Sequence, residues 1–158
     1  MIESMGGRAE DDCPTEEVVG LLFQLVGRLR CYFEDRASEL DLSPQQAVAL
    51  LNLHEALTMR RLAGLMRCDA SNVTGIVDRL ELRGLVERKA LAGDRRVKYL
   101  TLTREGKELR SRLHLCLFIN HPLLAGLEPA ERAGLREMLW RILGGSSQVS
   151  RDTADYPR

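Results

Sequence analysis

Between positions 67 and 96 the chain gathers side chains suited to hydrogen bonding with the base edges and phosphates of a duplex. Ser71, Asn72, Thr74, Gly75 and Arg79 share one face of a short segment. Arg67 precedes it, and Asp94, Arg95 and Arg96 follow further on. Asn and Arg can bond bidentately to adenine and guanine in a major groove, while Ser and Thr suit base edges or phosphates. Short groups also let a backbone approach bases that a long side chain would hold off. An arginine on an exposed ribbon is drawn into a narrow minor groove by the negative potential there. Asp94, two residues from Arg96, is placed to orient its guanidinium through a charge-assisted bond. Taken singly, each feature has a plainer reading: a solvated helix face, or a hairpin with ordinary surface charges.

Those side chains need elements to present them. Val73, Ile76, Val77 and Leu80 recur at i, i+3, i+4 and i+7, the single apolar stripe of an amphipathic helix. Asp69 is expected to cap this helix from Ala70 with its carboxylate, and Gly84 to end it. A shorter segment comes before, with Thr58 as its N-cap and Leu62, Leu65 and Met66 on one side. Arg60, Arg61 and Arg67 turn elsewhere, where flanking phosphates would lie. A helix this short must dock on its neighbours to persist. The connection at Cys68–Asp69 is only a few residues, as a DNA-reading helix pair requires. Residues 85–89 and 97–101 are predicted to pair as strands, turning at Ala92–Gly93–Asp94. Two helices followed by an arginine-tipped ribbon can reach a major groove and the adjacent minor groove together.

The runs VTGIVDRLELRGLVER, GDRRVKYLTLTREG and LSPQQAVALLNL resemble the multiple antibiotic resistance regulators, the MarR family of bacteria and archaea. The resemblance covers roughly residues 18–143, and the spacing from helix to wing to Leu102–Thr103 fits it. It implies a mainly α fold with a small β-hairpin: a winged helix–turn–helix flanked by N- and C-terminal dimerisation helices. It also implies a homodimeric transcription regulator, usually a repressor released by a small molecule or an oxidant. In that family the Asp-x-Arg of the wing, here Asp94 and Arg96, joins the second helix in binding DNA. The effector usually sits between the dimer helices and the winged module, which here points to Cys31, Tyr32, Arg36, His54 and His114. Some members sense oxidants through a cysteine near the start of the first helix. The matching position holds Leu22, with Cys13 before the helix and Cys31 later on it, a departure that argues against peroxide sensing.

Composition sets the bounds. The chain has 158 residues, 44% hydrophobic and only 4% aromatic, enough for one domain with an aliphatic core. The zero net charge conceals an asymmetry. Residues 58–110 carry 13 Lys/Arg against 7 Asp/Glu, whereas residues 1–57 carry 4 against 11. A basic module on an otherwise neutral chain is the pattern of a DNA-facing surface. A winged helix that docks protein is the rival reading, but it has no need of Arg95–Arg96 at its tip. No stretch has the length of a membrane span, and the acidic N-terminal segment is unlike a signal peptide. Cysteines 13, 31, 68 and 116 lack metal spacing and read as reduced cytoplasmic thiols, with Cys31 and Cys116 buried structurally. His114, Cys116 and His121 have no i, i+4 pair able to chelate, so no metal or other cofactor is expected. Neither a phosphate loop nor a recognisable nucleophile is present, so catalysis is not expected.

The remaining segments hold this module. Residues 18–39 read as a helix carrying Leu21, Leu22, Leu25, Val26 and Leu29, and Ser43, Pro44 and Gln46 form a capped helix start. Thr103 caps a long helix running toward Pro122. A last helix over 129–143, with Leu135, Met138, Leu139 and Ile142 apolar, stops at Gly144–Gly145. The expected organisation is a flexible acidic segment (1–17), a domain over 18–143 and a disordered tail (144–158). Within the domain, 58–103 form the DNA-binding core, and 18–40 and 104–143 the dimerisation helices. These terminal helices carry more apolar surface than a small wing module can cover, and a second copy would bury it two-fold symmetrically.

Overall fold

The computed structural model describes residues 14–91, 94–119 and 121–144, with residues 91 and 94–97 described by backbone alone. Two compact units are present, one up to Leu117 and one from Phe118. In the first, helix α1 (Thr15–Ser38) is followed by α2 (Pro44–Asn52), a two-residue strand β1 (Leu57–Thr58) and α3 (Met59–Met66). Then come α4 (Ala70–Leu82), strands β2 (Val86–Leu91) and β3 (Asp94–Leu102), and α5 (Arg104–Phe118). The second unit holds a short 3-10 turn (Pro122–Leu124) and α6 (Pro129–Ile142).

The starts of the helices follow local chemistry. Ser43 accepts from the Gln46 amide while Gln46 accepts from the Ser43 amide, so α2 opens on the expected reciprocal capping box. Thr58 accepts from the Arg61 amide, and Thr103 from the Gly106 amide. Asp69 departs from expectation. Its backbone is extended as an N-cap should be, but its side chain makes no capping bond. Its carbonyl instead accepts from Asn72 and Val73, leaving the carboxylate exposed. Helix α1 also begins three residues before the expected Val18, led by Glu16 and Glu17, which favour the positive end of a helix dipole.

The predicted stripe of α4 is the centre of the core. Val73, Val77 and Leu80 are fully buried and Ile76 nearly so, packed with Leu50, Leu62, Val86, Leu100 and Leu113. The hairpin strands are longer than expected: β2 extends to Leu91, and Asp94 begins β3 rather than sitting in the turn. Ala92 and Gly93 lie outside the described residues. Strand β1 was not foreseen. It pairs antiparallel with β3, Leu57 opposite Leu100, making a three-stranded sheet in the order β1-β3-β2.

Two glycines fix how α4 meets β2 and α5. Gly84 takes φ +70, with Leu85 N–H bonding to the Leu80 carbonyl and Gly84 N–H to that of Glu81. This left-handed stop turns the chain from α4 into β2. Gly106, in the first turn of α5, lies so close to that turn that a Cβ would sit 1.9 Å from the Leu85 carbonyl oxygen. The same carbonyl accepts from the Thr103 amide, and the Thr103 hydroxyl donates to the Gly84 carbonyl. Gly106→Ala therefore must push backbone away from backbone. We expect it to lower stability by about 2 kcal/mol or more, read as a lower urea midpoint, whereas Gly64→Ala, which meets nothing, should not.

Candidate nucleic-acid interface

With the stripe of α4 buried, the opposite face is set without freedom. Ser71, Asn72, Thr74, Gly75, Asp78 and Arg79 are all exposed along it. The Thr74 hydroxyl donates to the Ala70 carbonyl at 2.9 Å, so that group turns its methyl and remaining lone pairs outward. Nothing lies within 4 Å of a Cβ built at Gly75. A glycine inside a helix costs roughly 1 kcal/mol relative to alanine, and no packing inside the chain explains this one. On α3, Arg60 and Arg61 are exposed, as expected.

The turn into α4 carries the other backbone oddity. Arg67 sits at φ +50, ψ +41, a left-handed conformation that ordinary side chains seldom adopt. Cys68 follows, half-buried, its thiol donating to the Met66 carbonyl. Arg67 itself is exposed beside the start of α4.

The wing joins α4 through a side chain the sequence did not flag. Arg88, on β2, places its guanidinium against two carboxylates of α4: Asp78 at 2.5 Å, and Glu81. Asp78 and Glu81 lie three apart on the helix, and Arg88 is two residues beyond buried Val86 on the same strand face. That spacing was visible; the partnership needed the register of the strand. The side chains of Asp94, Arg95 and Arg96, and hence their expected pairing, lie outside the described residues.

The residues expected around an effector divide into two groups. Tyr32 on α1 donates to the Cys116 carbonyl on α5 at 2.8 Å, and the Arg36 guanidinium lies over its ring at 5.3 Å. Arg36 also pairs with Glu39. His54 instead lines a hollow of about 390 Å³ with Thr101, Lys107, Arg110 and Ser111. His114 is one turn beyond Arg110 on α5. Burial first, and then the nearby Arg110 charge, lower its imidazole pKa from the ordinary histidine value. Cys31 is exposed and Cys116 half-buried, correcting the expectation that both are interior. The reason for Cys31 is angular: its neighbours Tyr32 and Phe33 take the inward side of α1. Cys13 lies outside the described residues. Among the described residues, no group of three His, Cys, Asp or Glu side chains is placed to hold a metal, and no helix is long and apolar enough to cross a membrane.

Known proteins share this arrangement. A sequence model of the MarR family matches residues 42–98, from before α2 to the middle of β3. The transcriptional repressor MprA of Escherichia coli is 37% identical over 86 residues, covering 52% of this chain and 47% of the repressor. The chain thus spans about half the length of that curated relative. The crystal structure of transcriptional regulator PA3341 is 30% identical, covers 81% of this chain and 96% of that one, and superposes with a TM-score of 0.67. CouR of Rhodococcus jostii, solved bound to p-coumaroyl-CoA, is 27% identical, covers 81% of this chain and 92% of its own, and gives 0.64. The likeness to PA3341 runs through nearly the whole of that regulator, and the family pattern falls on the helix pair and wing that form the polar face. The chain belongs to the MarR family, whose members are transcription regulators and not enzymes.

Proposed function

We propose that this protein is a sequence-specific, double-stranded DNA-binding regulator that acts as a homodimeric repressor on a palindromic operator and is released by a small-molecule effector. The observation that carries the reading is the outer face of α4: short polar groups and a glycine, all exposed, on a helix whose other side is wholly buried. In this reading Ser71, Asn72, Thr74, Gly75 and Arg79 enter the major groove and Arg67 meets a phosphate beside it. Asp94, Arg95 and Arg96 carry the wing toward the minor groove. Gly75 then has a reason, since a side chain there would hold the helix off the bases. Arg67 has one too: a strained backbone retained on the surface points to use of the side chain it carries.

Dimerisation is supported by α1. Val19, Phe23 and Val26 form one exposed apolar stripe along it, with Phe23 74% exposed in the single chain. In the second unit, α6 leaves Met138, Trp140 and Ile142 exposed. A two-fold partner would cover such faces and set two copies of α4 about one helical turn of DNA apart, roughly 10 base pairs. Effector release is supported by CouR, which is bound to p-coumaroyl-CoA. Tyr32, Arg36, His54 and His114 are the side chains we assign to an effector here, with the protein working in the cytoplasm. Cys31, exposed on α1, is the thiol that an oxidant would reach.

Selecting duplexes from a random pool with the purified protein tests the reading directly. A palindrome with half-sites about 10 base pairs apart is expected, and recovery of asymmetric or unrelated sequences would overturn it. Sedimentation should give a dimer at micromolar concentration that Phe23→Glu turns into a folded monomer.

Substitutions on the face should separate base reading from backbone contact. Asn72→Ala should cost about 1–3 kcal/mol on the selected site and relax preference at one position. Arg67→Gly should raise stability by about 0.5–1 kcal/mol, because glycine accepts φ +50 without strain. The same change should weaken binding to every duplex about equally. Stability gained with no loss of binding would remove Arg67 from the interface.

At the wing, Arg96→Ala should make the log–log salt dependence of binding shallower by about one unit per wing inserted. Asp94→Ala should lose only part of what Arg96→Ala loses, with the double variant little worse than Arg96→Ala. A salt titration of Arg96→Ala that matches the wild type would show the wing remaining in solvent.

A further inference from the structure

We infer that Arg88 is the positioning residue that sets the tilt of the wing against the recognition helix and makes the acidic side of that helix compatible with a nearby polyanion. The inference rests on the DNA-binding proposal above. Asp78 and Glu81 are the two acidic residues of α4 itself, and Asp78 lies on its outward face. Left alone, both carboxylates would repel approaching phosphates. The Arg88 guanidinium answers both at once, one terminal nitrogen to each. A planar fork can do this, whereas the point charge of a lysine cannot hold two separated carboxylates in fixed directions.

The mechanical consequence comes from where Arg88 stands. Val86, fully packed, fixes the root of β2 on the core. Among the described residues, Arg88 carries the ion pairs that join β2 to α4, and its side chain is only 24% exposed. Glu87 and Lys89 alternate to the other face and pair with each other. Beyond Arg88 the hairpin runs three more residues to Leu91, a lever of about 10 Å. A tilt of roughly 20° about Val86, about 17 Å from Leu91, would move that end by about 6 Å, more than a hydrogen bond tolerates. Arg88 therefore acts on sequence-specific binding through the wing, touching helix and not phosphate.

The test compares wild type, Arg88→Gln, Arg88→Lys and the Asp78→Asn/Glu81→Gln double variant on the selected duplex and on unrelated duplex. Hydrogen exchange of the β2 and β3 amides is measured alongside, without DNA. Arg88→Gln should bind the selected duplex at least tenfold more weakly while binding to unrelated duplex falls less than threefold. Arg88→Lys, with its charge retained, should recover little of the loss. The double variant should also lose the preference for the selected duplex, although removing two negative charges would by itself raise affinity for any DNA. In all three variants the hairpin amides should exchange faster while the core amides of α4 keep their protection. Full recovery with lysine, or equal losses on both duplexes, would make Arg88 a phosphate contact and overturn the inference. A double variant that binds more tightly with its preference intact would overturn it as well. If the wild type selects no duplex, the DNA proposal fails, and unchanged exchange in the hairpin would separately dismiss Arg88 as its anchor.

Discussion

Helix α4 must satisfy two demands with one set of thirteen residues. Its inner stripe has to bury Val73, Ile76, Val77 and Leu80 against helices and sheet, each side chain contributing about 1.5–3 kcal/mol. Its outer face has to stay polar, short and accessible. Because the stripe is fully engaged, the helix cannot rotate by even one residue without exposing apolar groups and burying Asn72 or Asp78. The rotational setting of the outer face is therefore a by-product of core packing. Every element around it serves the same constraint: α3 is too short to stand alone, β2 is rooted by Val86, and β3 lays Leu100 and Leu102 into the same core.

Against that rigid background, three features are costly by the standards of stability. Arg67 occupies a backbone conformation that glycine would take more easily, Gly75 interrupts a helix with nothing filling the space, and two carboxylates share the side of α4 nearest the wing. Each lies on the exposed side; the left-handed turn at Arg67 ends α3, but nothing in that stop calls for an arginine rather than a glycine. Their clustering on one surface is what separates this module from an ordinary helical pair. It also disfavours a wing that docks protein, which would have no use for a vacant helix surface flanked by arginines.

Much of this was legible because periodicity and capping are local. The stripe of α4, the caps at Ser43, Thr58 and Thr103, and the stop at Gly84 all come from residues within seven positions of one another. What escaped depended on distant partners. Strand β1 is two residues long, too short for any alternation, and exists because β3 offers Leu100 and Tyr99 to Leu57 and Thr58. The bond between Arg88 and α4 needed the strand face and the helix face together. Cys31 is exposed because α1 leaves most of its length uncovered, with Ala37 its sole buried residue among those described. In such a helix apolar content says little about which side faces in. Asp69 shows the limit even of local rules: a residue of the right type in the right backbone makes no side-chain cap, while its carbonyl accepts from Asn72 and Val73.

The way α5 is fastened bears on regulation. Its first turn is locked to the end of α4, with Thr103 bonded through both its amide and its hydroxyl and Gly106 pressed against the Leu85 carbonyl. Further along, the same helix meets α1 through Tyr32 and α2 through Arg110, which donates to the Leu51 carbonyl. Helix α5 is therefore continuous with the stop of the recognition helix at one end and with the apolar-faced α1 at the other. Under the proposed function, a ligand near Tyr32 or Arg110 that favoured one setting of α5 over another would act through this tight joint on the Gly84–Leu85 turn, where α4 ends and the wing begins.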